Sequence, residues 1–410
     1  MNAQPKILVT APFPPDKSPE ADHAYHLCEH LAQAGWRVDV LTTEGSVDAA
    51  YANITVHRVM RDWSWRELPR WASALRRCQP DVALLLYIGW VYRHHPMITF
   101  APTVAKRLLP SLPFVTLFDG AYGALAYGGA TRGALLGRKA AARWAGGRDV
   151  DYNYGTLLRD SDRVLTLCEG HTAALTTHFP DLPRKNERIP VGPILRVCPE
   201  NNGQARERGR AVLGVKPDEE LILYFGYIYP GKGVETLLEA FQRISAERPN
   251  ARLVLLGGVM TDSVGQDAHG YDRQLRDRAA RLGIAEKVCW TGGFEYDSEW
   301  PSLCLRAADV CVLPFDDGVK LNNSSFAAAA AHSLPTVTTR SHLTETADFV
   351  DGRNVLLCAP KDAGGLAEAI ERLLLQPELR VRLSRGITQL AAERFSWEQA
   401  VQALTACLRK

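Results

Sequence analysis

The stretch that decides the fold is Leu221–Phe241, LILYFGYIYPGKGVETLLEAF. The apolar run Leu221–Phe225 is typical of a buried strand, and Gly226 follows it directly. A short turn containing Lys232 and Gly233 then leads into a helix with apolar residues at helical spacing. A glycine at the carboxyl end of a strand lets a ligand approach the backbone, and a lysine before a helix N-terminus lies where anions bind. This unit predicts a phosphate site; the alternative is an ordinary strand-to-helix connection with a solvated lysine.

The composition is that of a globular protein with room for two domains. The chain has 410 residues, of which 46% are hydrophobic and 23% charged. Its net charge of +2 gives no reason to expect a nucleic-acid partner. The nine cysteines form no CxxC pair, which argues against a disulfide scaffold or structural zinc and favours a reducing compartment. The N-terminal segment MNAQPKILVT enters a strand directly, and no apolar run approaches the roughly 18 residues that span a bilayer, so we expect a cytoplasmic protein.

Predicted strands and helices alternate along the whole chain. The alternation predicts strands at Lys6–Thr10, Arg37–Thr42, Asp81–Ile88, Pro113–Leu117 and Arg163–Leu167, and, after a polar linker, at Leu221–Phe225, Ala251–Leu256, Lys287–Trp290, Asp309–Leu313, Thr336–Thr339 and Val355–Leu357. Strands that alternate with helices form parallel sheets. The fold class is therefore α/β, with two Rossmann-like doubly wound domains facing a cleft. We place them at residues 1–195 and 196–385, with a helical segment at 386–410 that packs back on the N-terminal domain.

A second anion site is predicted in the C-terminal half. The strand Asp309–Leu313 runs into Asp316 and Asp317, and the segment Asn322–Ser325 then precedes the alanine run Ala327–Ala331. Asparagine and serine are favoured at helix N-caps, and alanine is the strongest helix former. One cap needs one such residue, so four of them favour a phosphate or sugar contact at the helix start over a plain N-cap.

In this order and spacing, the motifs resemble the GT-B glycosyltransferases, and among them the retaining glycosyltransferase family 4. The resemblance rests on FG-x5-KG at Phe225–Gly233, LVLLGG at Leu253–Gly258, AADVCVLPF at Ala307–Phe315, the small-residue helix ending in SLPTVTT, DGRNVLL at Asp351–Leu357 and RFSW at Arg394–Trp397. It implies sugar transfer from a nucleotide-diphosphate sugar of the UDP, GDP, ADP or dTDP type, held by the second domain. It further implies retention of configuration, no metal and no other cofactor. The acceptor, a small molecule, glycan or lipid-linked hydroxyl, would be held by the first domain.

Several positions depart from the family pattern. Tyr227 stands where an arginine is usual, and Lys320 and Ala328 stand where two glutamates are usual. In the N-terminal half, Ser18 and Pro19 stand where a glycine pair is usual. Phe118 stands where a histidine is usual, and Asp119 follows it. Carried over position by position, the resemblance implies catalytic roles for Lys232 and Asp119 and a donor-side or acceptor contact from Ser18. Together with the predicted helix start, it leads us to expect donor contacts from Gly226, Tyr227, Lys232, Asp317, Lys320, Asn323, Ser324 and Ser325.

Two other segments carry candidate residues of their own. Tyr92, His94 and His95 follow a strand end, where they predict acceptor contacts or, equally, loop packing. The basic segment Thr131–Trp144 is an amphipathic helix that fits either an ordinary surface or peripheral contact with an anionic membrane. These two readings stay open for each segment.

No metal site is predicted. The acidic triplets Asp149–Asp151 and Asp160–Asp162 do not follow a strand into a site, so turn and cap roles are favoured. His26 and His30 have the spacing of one helix face, but no third ligand completes a set, and we interpret them as surface residues.

Two other functions compete with glycosyl transfer. The missing glutamates favour a non-catalytic protein that binds a nucleotide sugar or a protein partner. A nucleotide-sugar epimerase ranks third, because it needs carboxylates on both sides of the sugar and Asp316 and Asp317 lie on one side.

Overall fold

The computed structural model describes residues 4–45, 51–125, 131–147, 149–260, 268–295, 298–341 and 347–409. Residues 1–3, at the start of the segment predicted to enter a strand directly, lie outside this set. The chain divides into two compact units: unit 1 comprises Met1–Pro190 and Trp397–Lys410, and unit 2 comprises Val191–Ser396.

Unit 1 is built on a seven-stranded parallel sheet in the order β3-β2-β1-β4-β5-β6-β7. Its strands are β1 Lys6–Thr10, β2 Arg37–Thr43, β3 Ile54–Met60, β4 Val82–Tyr87, β5 Phe114–Phe118, β6 Arg163–Thr166 and β7 Asn186–Arg188. Its α-helices are α1 Pro19–Gln33, α2 Leu68–Cys78, α3 Ala101–Leu108, α4 Arg132–Trp144, α5 Leu157–Asp160 and α6 Glu169–Thr176, with α14 Trp397–Arg409 at the end of the chain. Short 3-10 turns lie at Trp65–Glu67, Pro96–Phe100 and Leu182–Arg184.

Unit 2 repeats this topology with a six-stranded parallel sheet in the order β10-β9-β8-β11-β12-β13. Its strands are β8 Glu220–Phe225, β9 Ala251–Leu256, β10 Val288–Gly292, β11 Val310–Leu313, β12 Thr336–Thr339 and β13 Leu356–Cys358. Its α-helices are α7 Asn202–Leu213, α8 Val234–Glu247, α9 Ala268–Arg281, α10 Trp300–Ala307, α11 Ser324–Ala331, α12 Ala363–Leu375 and α13 Pro377–Arg394, and a 3-10 turn lies at Ala285–Lys287.

The prediction of two doubly wound parallel sheets is confirmed, and the central strands explain why it succeeds. β8 is buried from Leu221 to Phe225, and β4 is buried throughout, because helices cover both faces of each sheet. Such strands appear in the sequence as continuous apolar runs.

Two strands were not predicted, and both lie at an edge of the first sheet. β3 has mostly half-exposed residues between Ile54 and Met60, and β7 is the three-residue polar segment Asn186–Arg188. An edge strand buries too little side chain to leave an apolar run in the sequence.

The C-terminal part of the chain is shared between the units. The sequence-based boundary at 385/386 falls inside the continuous helix α13, and unit 2 extends to Ser396. α14 then packs against α1 in unit 1, where Trp397 contacts the rings of His23, His26 and His30.

The sheet order reverses between β8 and β11 in unit 2. At such a switch point the connections from neighbouring strands leave to opposite faces, which opens a crevice outside the strand ends. The turn after β8 and the segment after β11 both begin there.

Candidate functional site

The turn after β8 is held against the exit of β11. Gly233 adopts a positive φ of 71° directly before α8, and a Cβ at this position would lie 1.8 Å from the carbonyl oxygen of Pro314. Only glycine fits so close an approach. Nearby, the backbone N–H of Asp316 donates to the carbonyl of Gly231 at 3.0 Å. A close backbone contact and a backbone hydrogen bond therefore connect the two segments that the sequence predicts as anion sites. We call this region, Gly231–Gly233 with Pro314–Asp316, the junction.

Lys232 lies between two aromatic rings at this junction. Its Nζ is 4.8 Å from the ring centroid of Tyr229 and 5.1 Å from that of Phe315. Cation–π contacts of this kind hold an ammonium in place without using its N–H donors. In the described part of the chain the Lys232 side chain makes no ion pair, so its donors remain free for an anionic ligand.

α11 begins at Ser324, within the predicted segment Asn322–Ser325, and its N-cap side chain does not bond to the helix. Asn323 occupies the N-cap position without a side-chain bond to the helix, because its Oδ1 accepts the backbone N–H of Lys320 at 2.6 Å. The first N–H groups of the helix thus have no side-chain cap, and they carry the positive end of the helix dipole. Ser325 is buried beside the β8 turn: a Cβ at Gly226 would lie 3.1 Å from the Ser325 Cβ.

The charged residues around this junction form long ion pairs. Lys320 Nζ lies 3.9 Å from the carboxylate of Asp317, whose side chain is 85% exposed. Lys361 Nζ lies 3.5 Å from the carboxylate of Asp316. An exposed pair at such distances contributes little stability, so these side chains can reorient towards a ligand.

Unit 1 gathers a second polar cluster around Asp119. The residue follows β5, donates its backbone N–H to Tyr87, and accepts a hydrogen bond from His23 Nδ1 at 3.1 Å. Glu20, one turn before His23 on α1, is buried; burial first and the charge of Asp119 next raise the pKa of its carboxyl well above the usual range. Sequence reasoning missed Glu20 and His23, although their i, i+3 spacing behind the Ser18 cap puts them on one face of α1.

Each of the two units corresponds to a known family of glycosyltransferase domains. A family model described as Glycosyltransferase Family 4 matches residues 21–192, and one described as Glycosyl transferases group 1 matches residues 219–376. The chain belongs to the GT-B glycosyltransferases.

One similar curated member is the D-inositol 3-phosphate glycosyltransferase of Geodermatophilus obscurus. It is 32% identical over 255 residues, which cover 61% of this chain and 53% of that protein. The chain spans about half the length of the curated relatives that it matches.

Solved GT-B structures cover the chain almost completely. Sucrose-phosphate synthase from Thermosynechococcus elongatus has a TM-score of 0.70 at 20% identity and covers 99% of this chain and 98% of its own. HepE from Anabaena, in complex with UDP and glucose, has a TM-score of 0.71 at 15% identity and covers 98% and 99%. At these identities the likeness concerns the fold alone.

Three positions are predicted to depart from the GT-B family pattern, and the structure shows the surroundings of each. The carbonyl of Tyr227 accepts the hydroxyl of Tyr224 at 2.9 Å, and Ala328 is fully buried in α11. Lys320 donates its backbone N–H within the turn before α11. No carboxylate therefore stands at either of the two positions where the resemblance implies glutamate.

The candidate acceptor residues of this GT-B protein have different surroundings. The predicted acceptor contact from Tyr92 does not fit the structure. Tyr92 is fully buried, stacks on Tyr87 and donates its hydroxyl to a backbone carbonyl, so it belongs to the core. Ser18 is buried as the N-cap of α1, where its Oγ accepts the N–H of Ala21 at 3.2 Å. His94 and His95 are half-buried, and burial lowers the pKa of each ring. His95 also accepts the N–H of Met97 through Nδ1.

Three of the four aspartates in the acidic triplets make structural contacts. Asp151 accepts two backbone N–H groups and pairs with His178; Asp160 bonds to Arg159 and Thr103; Asp162 pairs with Lys106 and accepts the N–H of Phe114.

The interpretation of His26 and His30 as surface residues is wrong for His26, which is buried. Both rings stack against Trp397, which returns to unit 1 from far along the chain. No local pattern signals this contact.

α4 presents apolar and basic side chains to solvent. Leu136 is 67% exposed and Trp144 46% exposed, and the guanidinium of Arg107 covers the Trp144 ring at 3.8 Å. Among the described residues, no helix is both long and apolar enough to cross a bilayer.

Proposed function

We propose that the protein transfers a sugar from a nucleotide-diphosphate sugar to a hydroxyl acceptor, with retention of configuration and without a metal. One observation carries the proposal. The ammonium of Lys232, which makes no ion pair with any described residue, and the start of α11 at Ser324, which has no side-chain cap among those residues, lie at the same switch point. Membership of the GT-B glycosyltransferases supports the transfer of a sugar.

The donor diphosphate binds at this junction. Lys232 supplies a fixed cation, α11 supplies backbone N–H groups, and Gly226 leaves room for the phosphates beside Ser325. Negative charge grows on the diphosphate as the sugar leaves, and donors already aimed at it stabilise that charge without rearrangement. The nucleotide is of the UDP, GDP, ADP or dTDP type; HepE, which shares the fold, is itself seen in complex with UDP and glucose.

Asp119 acts on the acceptor in unit 1. His23 fixes one oxygen of the Asp119 carboxylate, and the other oxygen has no protein partner among the described residues. That oxygen accepts a hydrogen bond from the acceptor hydroxyl. The raised pKa of Glu20 favours its neutral acid, which keeps a second negative charge away from Asp119. His94 and His95 are proposed acceptor contacts on a small molecule, a glycan or a lipid-linked hydroxyl.

The test begins with thermal unfolding of the full chain in the presence of UDP, GDP, ADP, CMP and dTDP sugars. A donor that binds the folded state raises the unfolding midpoint by mass action. The matching sugar is then offered with candidate acceptors, and the anomeric configuration of the product is read by NMR. We expect one base to stand out, a retained anomer, and equal rates in Mg²⁺ and in excess EDTA.

Each other result contradicts a separate part of the proposal. No stabilisation by any nucleotide sugar contradicts donor binding, and stabilisation without transfer to any acceptor favours the non-catalytic alternative. An inverted product contradicts retention, and reversible loss of activity on chelation, in protein that stays folded, contradicts metal independence.

Peripheral contact with an anionic membrane through α4 is part of the proposal. The exposed side chains of Leu136 and Trp144 stand beside Arg138, Lys139 and Arg143 on one helix. An amphipathic helix with basic and large apolar side chains binds a lipid surface through both. Such contact suits a lipid-linked acceptor.

Sedimentation with vesicles tests this contact. Binding to vesicles containing anionic lipid should fall with salt and fall strongly in Leu136→Asp. Leu375→Asp is the matched control, since Leu375 is 65% exposed in unit 2 and Leu136 is 67% exposed in unit 1. Equal binding of both variants and the unmodified protein would contradict the role of α4.

A further inference from the structure

Three side chains of unit 1 form a cluster apart from every residue discussed above: Asp39 on β2, His57 on β3 and Cys78 at the end of α2. We call it the His57 cluster. One oxygen of Asp39, Nε2 of His57 and Sγ of Cys78 all lie within 4.8 Å of one another. Asp39 Oδ1 is 2.6 Å and Cys78 Sγ is 3.6 Å from the same ring nitrogen, Nε2.

The spacing of these atoms suits a tetrahedral metal ion. Zn²⁺ bonds to nitrogen and oxygen at about 2.0–2.2 Å and to sulfur at about 2.3 Å, which places its ligands about 3.4–3.6 Å apart. The Nε2–Sγ distance of 3.6 Å already has this value. The Oδ1–Nε2 pair at 2.6 Å needs to open by less than about 1 Å once an ion replaces the proton between them.

A lysine of the neighbouring strand β1 contacts two members of the cluster. Lys6, at the start of β1, lies with Nζ 2.8 Å from Asp39 Oδ2 and donates to the carbonyl of Cys78. One side chain thus fixes both the carboxylate and the end of α2, while Asp39 Oδ1 stays turned towards His57. Partners that orient metal ligands in this way are typical of metal sites.

Burial leaves one way into the cluster. Asp39 and Cys78 are buried, whereas the His57 side chain is 31% exposed. An ion can enter along the exposed edge of the imidazole, and water can complete the fourth position there.

We propose that Asp39, His57 and Cys78 bind Zn²⁺ through Oδ1, Nε2 and Sγ, with water as the fourth ligand. Imidazole, thiolate and carboxylate together are a donor set that this ion takes. Binding releases the imidazolium proton and the thiol proton to solvent, so charge and atoms balance. Asp39 lies in the amino-terminal half of β2, whereas Asp119 follows the carboxyl end of β5, so the ion serves stability and not sugar transfer.

This site was not foreseen because its ligands come from three separate elements. The absence of a CxxC pair argues against the common structural zinc motifs, yet positions 39, 57 and 78 meet only through the pairing of β2 with β3 and the packing of α2.

The alternative is a simple ion pair. The hydrogen bond to Asp39 raises the pKa of His57 to about 9, so at neutral pH the ring carries the proton that Zn²⁺ must displace. A protein that keeps this proton in the presence of the ion has an ion pair and no metal site.

The experiment uses metal-free full-length protein titrated with Co²⁺, which replaces Zn²⁺ and gives a near-ultraviolet charge-transfer band when a thiolate binds it. We expect the band to saturate at one equivalent, to disappear when Zn²⁺ is added, and to be absent from Cys78→Ser. Cys289→Ser is the control, because Cys289 is the exposed thiol among nine free cysteines; it should keep the band.

A second readout covers a folding defect in Cys78→Ser. Zn²⁺ should raise the thermal midpoint of the wild-type protein and not that of His57→Gln or Asp39→Asn. No cobalt band, a band that survives Cys78→Ser, or an equal zinc shift in all variants would overturn the proposal.

Discussion

At the residue scale, the proposed donor binding depends on Lys232 and on the side chains around it. Two aromatic rings hold its ammonium, and Gly233 lets the turn meet Pro314 closely enough to bring it to the exit of β11. The sequence predicts this turn because the glycine–lysine–glycine order is local. It does not reveal the rings of Tyr229 and Phe315, since one of them comes from a separate strand exit.

Lys232→Ala should weaken nucleotide-diphosphate binding by about one to two orders of magnitude. A charge-assisted hydrogen bond contributes roughly 1.5–3 kcal/mol, and among the described residues the change disturbs no ion pair of Lys232. Isothermal titration of the full chain measures the affinity. Lys216→Ala is the matched control, because Lys216 is an exposed lysine of the same unit away from the junction. Unchanged affinity in Lys232→Ala would remove the lysine from the site.

At the element scale, α11 combines an open start with a fixed end. Its start lacks a side-chain cap, and the alanines from Ala327 to Ala330 are fully buried, which sets the helix close to the sheet. At its end, His332 donates from Nδ1 to the carbonyl of Ala328 at 2.7 Å and accepts from Ser302 at 2.7 Å.

Bulk at the start of α11 should matter more than the loss of a hydroxyl. Ser324→Leu fills the space beside the free N–H groups, so we expect donor binding to disappear while the fold is kept. Ser324→Ala removes one hydrogen bond and should cost about 1 kcal/mol of binding free energy. Calorimetry measures binding and circular dichroism measures the fold. A folded Ser324→Leu protein that binds donor normally would show that the helix start does not meet it.

His332 should make unit 2 sensitive to acid. Burial lowers its pKa to about 4, so the unfolded chain, with a pKa near 6.5, binds a proton that the folded chain does not. The free energy of unfolding should therefore fall as the pH drops from about 6.5 towards 4, by about 2 kcal/mol between pH 7 and pH 5. Denaturant titration at both pH values measures it. The loss should be clearly smaller in His332→Gln, and an identical loss would contradict this role.

Elements with continuous apolar runs were predictable, and elements defined by distant partners were not. β8 and β11 follow from their sequences, whereas β3 and β7 are edge strands with little apolar pattern. The same limit applies to the site. The segments around Lys232 and Ser324 are local signals, but the burial of Tyr92 and the stacking of His26 on Trp397 depend on packing that sequence spacing does not encode.

At the scale of the whole molecule, one topology serves twice. Both sheets are parallel, and in both the order of the strands reverses after the third strand in space. Each unit therefore has a switch point. In unit 2 the junction of Lys232 and α11 occupies that point. In unit 1 the switch point lies between β1 and β4, and Asp119 follows β5, the neighbour of β4. The His57 cluster is formed instead by β2, β3 and the end of α2.

The proposed site for the nucleotide-diphosphate sugar lies at the β8 and β11 exits of unit 2. Hydrogen exchange of the full chain, with and without the donor found by thermal unfolding, tests it most directly. We expect slower exchange in two segments, Gly226–Gly233 and Asp316–Phe326, since the ligand covers their backbone N–H groups. Slower exchange elsewhere, with both segments unchanged at saturating donor, would contradict it.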